Sequence, residues 1–132
     1  MIALVAYVAT LVVFAAVDLV WLGYVAHSYY RAQIGHLLAP EFNIIAVVAF
    51  YLVYVADIVI FAILPALASG GPGRALLLGG LLGFFCYATY DLTNLATLKG
   101  WSLPMSLVDI AWGALLTGIS ASIGTYVAGR FE

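Results

Sequence analysis

The stretch CYATYDLTNLATLKGW, residues 86–101, decides how this chain is read. It continues an apolar run that starts near Ala75, yet it carries Tyr87, Tyr90, Asp91, Asn94 and Thr97, with Lys99 just beyond. On a helix, positions 87, 90, 91, 94 and 97 share one face. A polar face surrounded by hydrocarbon needs polar partners from neighbouring helices. The stretch therefore predicts a membrane helix with a site on one side, and partners for that site elsewhere in the chain.

Composition agrees. Of 132 residues, 67% are hydrophobic and 8% charged, and the mean hydropathy is +1.19. So little charge does not cover a water-facing globule, and the chain reads as an integral membrane protein with membrane lipids as its surroundings. A net charge of −2, with only four Lys and Arg, argues against a nucleic-acid partner. Cys86 is the single cysteine, so no internal disulfide or CxxC metal site is available.

Four apolar segments follow one another at about 2–25, 44–68, 75–98 and 103–128. Each exceeds the ~20 residues that cross a ~30 Å hydrocarbon core. None alternates with period two, so helices are expected rather than a barrel. The first segment has no basic leader and is too long for a signal-peptide core, which marks it as a retained span. Residues 26–43 suggest a short amphipathic stretch on the membrane surface ended by Pro40, with Tyr29 and Tyr30 as interfacial anchors. SGGPGR and KGWSLP are tight connections. Short connections imply antiparallel neighbours, hence an all-α, antiparallel bundle of four transmembrane helices forming one domain. Small residues at Gly79 and Gly83, Ala114 and Gly118, and Ser120 and Gly124 mark close helix contacts, within the chain or in a homodimer. Pro65 is expected to kink or fray the second helix.

Asp18, Asp57, Asp91 and Asp109 fall one to a helix. An Asp in hydrocarbon costs about 2.5–3.5 kcal/mol on insertion scales. Let side B be the membrane side bearing the first and third connections. At 1.5 Å per residue, Asp18, Asp91 and Asp109 each lie roughly 10 Å below it, and Asp57 roughly 20 Å. Three carboxylates thus share a layer. AVDLVWLG and LVDIAWG repeat D-x-x-W, pairing Asp18 with Trp21 and Asp109 with Trp112 at i, i+3, as Asp91 pairs with Asn94. His27, Arg31, His36 and Lys99 sit near the mouth of this layer, or simply at the interface. Neither His lies at mid-membrane, which disfavours a bis-His haem, and no cofactor is expected.

Clustered carboxylates in a low dielectric do not all ionise together, so the layer would hold or share a proton. That suits proton-linked binding or transport of a small polar or cationic solute. It also suits a hard metal ion at Asp18, Asp91 and Asp109 in a membrane enzyme, or accessory subunit, acting on lipid headgroups or acyl chains. A third reading is a purely structural polar core. Ser106 precedes Asp109 by one turn, but with no base His in the layer a hydrolase triad is disfavoured. No nucleotide-binding or HExxH motif occurs. Whether the chain is an enzyme stays open.

FAAVDLVWLG, YYRAQIGHLLAPEFN, FCYATYDLTNLATLKGW and VDIAWGALLTG together resemble domain-of-unknown-function family 2177, small bacterial inner-membrane proteins. The resemblance covers nearly the whole chain and implies about four membrane helices with no established activity. It picks out Asp18, Trp21, Gly35, His36, Tyr90, Asp91, Thr93, Asn94, Asp109 and Trp112. Asp57 departs from the pattern, which implies a small residue there. Lys and Arg are tied between the two sides, Arg74 and Arg130 against Arg31 and Lys99, so orientation stays open and a homodimer or larger complex is conceivable.

Overall fold

The structure is a computed structural model and describes residues 1–132. Its elements are α1 (Ile2–Val20), a π-turn (Trp21–Val25), α2 (His27–Ile34), a 3₁₀ turn (Gly35–Leu37), α3 (Ile44–Ile58), a second π-turn (Val59–Ile63), α4 (Leu64–Ala68), α5 (Gly71–Thr97) and α6 (Leu103–Gly129). Four continuous helical spans are long and apolar enough to cross a membrane: Ile2–Val25, Ile44–Ala68, Gly71–Thr97 and Leu103–Gly129. Leu4, Val12, Ile45, Val53, Leu77 and Leu115 are exposed along them, as a hydrocarbon-facing surface requires.

The third span starts at Gly71 rather than near Ala75. Gly70 and Gly71, at φ 99° and 62°, turn the chain, and Pro72 then sits in the first helical turn. A proline there lacks only an N–H that has no helical acceptor, so it starts the helix instead of delaying it. In the second span the disturbance expected at Pro65 takes the form of the π-turn Val59–Ile63 immediately before it. Widening one turn is a recognised way for a helix to absorb a local break in its hydrogen-bond ladder.

α6 is the central helix. Of its apolar window 44% is buried, against 22% for each other span. Along one side it packs on α5, where Gly79 and Gly83 meet Thr117, Gly118 and the Gly113 carbonyl. Toward α1, Gly124 admits Thr10. The small residues at 79, 83, 118 and 124 are therefore used inside the bundle. A core of Phe14, Val55, Ile58, Ile63 and Leu116 fills the space between the spans. Tyr54 and Thr117 share a 2.9 Å hydrogen bond between α3 and α6, and Tyr7 donates to the Leu52 carbonyl at 2.8 Å between α1 and α3.

Residues 27–37 form the short segment expected on side B, with Tyr29 and Tyr30 both half-buried. Tyr30 turns inward onto the bundle. Ser102 ties the segment down: its hydroxyl donates to the Gln33 side chain while accepting from the Met105 amide at 3.1 Å as the cap of α6.

Candidate functional site

Asp18 is buried near the side-B end of α1. Tyr51 on α3 donates to its Oδ2 at 2.8 Å, and Trp112 on α6 donates to its Oδ1 at 3.2 Å. Both carboxylate oxygens thus receive a donor from another span. The indoles of Trp21 and Trp112 stack at 4.2 Å with 9° between planes. The two D-x-x-W motifs consequently lie side by side, and each indole serves a group outside its own motif: Trp112 donates to Asp18, and Trp21 donates to Tyr30 at 3.3 Å.

Tyr30 in turn donates to Asp109 Oδ1 at 2.9 Å. Burial, and then the negative Asp109, raise the pKa of the Tyr30 phenol, so it stays protonated and able to donate. Asp109 is half-buried and receives this one side-chain donor.

Asp91, on α5, is 0% exposed, and neither of its oxygens has a hydrogen-bond partner. The Asp109 carboxyl lies beside it. A buried carboxyl without a donor is costly, which sets Asp91 apart from the satisfied Asp18.

All three carboxylates line one cavity of about 460 Å³. It lies under α2, whose Tyr30 and Ile34 contribute to it together with Trp101 of the α5–α6 connection. Seven of its fourteen lining residues are aromatic, the three Asp are its only charged residues, and no Lys, Arg or His lines it. Aromatic faces and carboxylates both attract positive charge.

Of the residues picked out by sequence, Asp18, Tyr87, Tyr90, Asp91, Asp109 and Trp112 line this cavity. Trp21 lies against it through its stack on Trp112. Asn94 and Thr97 do not line it. Thr97 is exposed and donates to the Thr93 carbonyl at 2.8 Å, part of a ladder in which Thr89 and Thr93 also serve their own helix. The polar face of α5 is thus split between a cavity wall and a self-satisfied threonine stripe. His27, Arg31, His36 and Lys99 are exposed and line no part of the cavity. His36 instead packs its imidazole on Gly100, whose φ of 76° and missing Cβ make room for it. Asp57 lies outside the cavity and is approached by the Cys86 thiol at 3.9 Å.

No three His, Cys, Asp or Glu side chains are grouped closely enough to hold a metal ion.

Sequence reasoning missed Tyr51, Tyr54 and Phe50, which share one region of α3, and Trp101. Trp101 packs edge-on against Tyr90 at 5.8 Å and donates to Ser106 at 2.9 Å. The aromatic run FYLVY, with residues 50, 51 and 54 at helical spacing, was the available signal for the α3 wall. Tyr30 has the interfacial sequence neighbourhood of an anchor, but its partner Asp109 lies 79 residues away.

No curated protein and no solved structure matches the chain. Residues 3–126 match the family described as "Predicted membrane protein (DUF2177)". With four apolar spans and a match over nearly its full length, this chain belongs to that family of membrane proteins.

Proposed function

We propose that the protein binds, and by exchange transports, a small organic cation in a proton-linked manner. One observation carries the reading: an aromatic cavity of about 460 Å³ whose only charged lining residues are three carboxylates, with no cationic side chain to neutralise them. The volume falls in the ~300–1,000 Å³ range of small-molecule sites. Three clustered carboxyls in a membrane bind a cation or protons, and a cation that arrives displaces a proton.

The test is a titration of purified protein in lipid nanodiscs with a series from ethylammonium to 2-phenylethylammonium. Trp101 and Trp112, both in the cavity wall, report occupancy by fluorescence. Saturable quenching that strengthens with the apolar body and weakens at acidic pH is expected. Absence of saturable binding across the series would overturn the proposal.

A second reading is supported by the eleven apolar residues of the lining, which also suit an acyl chain. Here the protein would hold a lipid for a membrane enzyme or be part of one. Lipid that copurifies in fixed ratio, and that 2-phenylethylammonium fails to displace, would favour it.

A further inference from the structure

The three carboxylates are unlike one another in how the fold treats them, and the differences point to separate tasks. Asp18 has a donor on each oxygen, from two different spans. Asp109 is half-buried in the cavity wall and shares one oxygen with Tyr30. Asp91 forms part of the same wall but is sealed from water and has no donor on either oxygen. A bare carboxylate placed so is the costliest of the three, and a proton removes that cost.

The titratable groups around Asp91 are Asp109 on α6, Tyr30 on α2, and Tyr87, Tyr90 and Cys86 on α5 itself. Asp18 on α1 and Tyr54 on α3 complete the cavity wall. None of them carries a positive charge. Nothing in the protein therefore balances a negative Asp91, and only a proton or an incoming cation does so.

We infer that the carboxylates divide the work: Asp109 takes the charged nitrogen of a protonated amine, Asp91 behind it carries the proton exchanged for that amine, and Asp18 positions the scaffold through Tyr51 and Trp112. This rests on the cation-binding reading above. The exchange balances: a protonated amine enters and its N–H groups donate to Asp109, while the O–H bond of Asp91 breaks and its proton leaves by way of the cavity to the aqueous side; the ammonium charge then offsets the newly bare Asp91. Charge in the cavity is unchanged, because one positive charge enters as one leaves. The ligand class narrows accordingly. Asp109 Oδ2 has no side-chain donor, so primary to tertiary amines, which bring an N–H to it, bind better than a quaternary ammonium of the same size.

Two measurements test this on the full-length protein in nanodiscs. The first uses no ligand. Infrared difference spectra between neutral and strongly alkaline pH should show the carbonyl stretch of a protonated carboxyl, which disappears in Asp91→Asn and persists in Asp18→Asn. A band that survives in Asp91→Asn overturns the assignment of the proton, whether or not any amine binds.

The second uses 2-phenylethylammonium and its trimethylammonium analogue, with calorimetry in two buffers of different ionisation enthalpy. Wild type should release about one proton per amine bound. Asp91→Asn should bind without release. Asp109→Asn should weaken binding by about tenfold or more. Asp18→Asn should lower the melting temperature. If Asp91→Asn does not fold, Asp91→Glu replaces it and should keep the release with a shifted pH midpoint. Wild-type release in Asp91→Asn, an unmoved midpoint in Asp91→Glu, or unaltered affinity in Asp109→Asn would sink the division of labour. Failure of wild type to bind either probe counts against the cation-binding reading instead, and the infrared result still decides the place of the proton.

Discussion

Trp112 and Asp18 meet across the α1–α6 interface, with the indole N–H 3.2 Å from Oδ1, although each belongs to a D-x-x-W motif that offers it a partner on its own helix. The pairing makes the motif an interhelical clasp. Stacking of Trp21 on Trp112 holds both rings, and each ring serves a group outside its own helix. A double-mutant cycle between Asp18→Asn and Trp112→Phe should show a coupling of about 0.6–2 kcal/mol, the range for interhelical hydrogen bonds in membranes. The cycle between Asp109→Asn and Trp112→Phe should show almost none. Unfolding titrations of the four proteins in each cycle measure both, and the reverse ranking would restore the within-helix pairing.

Tyr30 is the clasp of the side-B segment. Tyr30→Phe removes the donor to Asp109 and the acceptor for Trp21. Amide exchange over residues 27–37 should accelerate, while exchange in the middle of α6 stays as in wild type. Equal exchange in the two proteins would show that Gln33–Ser102 alone holds the segment.

The same residue makes a pH prediction. The folded state raises the Tyr30 pKa through burial and the negative Asp109. An unfolded tyrosine titrates near ~10. The stabilisation tied to this phenol is therefore complete below about pH 10 and declines as pH rises above it, because the unfolded chain releases the proton first. Melting temperatures taken between neutral and alkaline pH should fall less steeply in Tyr30→Phe than in wild type. Parallel curves would remove Tyr30 from the account.

The α5–α6 contact depends on glycine at position 83, where a Cβ would overlap the Gly113 carbonyl and Thr117. Gly83→Val should cost about 1–3 kcal/mol of stability through overpacking. Gly23→Ala, where a Cβ meets nothing within 4 Å, should be close to neutral. A comparable loss in Gly23→Ala would mean that the close contact at Gly83 does not set the outcome, since alanine favours the helix over glycine.

Thr97 and Lys99 test which part of the polar stretch forms the site. Thr97 spends its hydroxyl on its own helix and Lys99 is exposed. Thr97→Val and Lys99→Ala should each leave 2-phenylethylammonium affinity within about twofold, since neither touches the cavity wall. A loss approaching that of Asp109→Asn would move the site toward the end of α5.

Residue order alone made two things legible: four apolar spans, and an expected common layer for Asp18, Asp91 and Asp109, which the structure brings to the wall of one cavity. Both follow from one-dimensional quantities: the length of an apolar run against the thickness of hydrocarbon, and a fixed rise per residue. The face of α5 was legible only in part. Periodicity places Tyr87, Asp91 and Thr97 on one side of a helix, but it does not say whether a hydroxyl turns back to its own carbonyl, as Thr97 does. Tertiary structure alone decided the partners. Tyr51 reaches Asp18 across 33 residues and Tyr30 reaches Asp109 across 79, and such pairings depend on how helices rotate and cross, which no local spacing encodes. It also decided that Asp91, which lines the same cavity as Asp18, is the carboxyl with no donor. Which group the bundle leaves unsatisfied is a property of all the surrounding helices together.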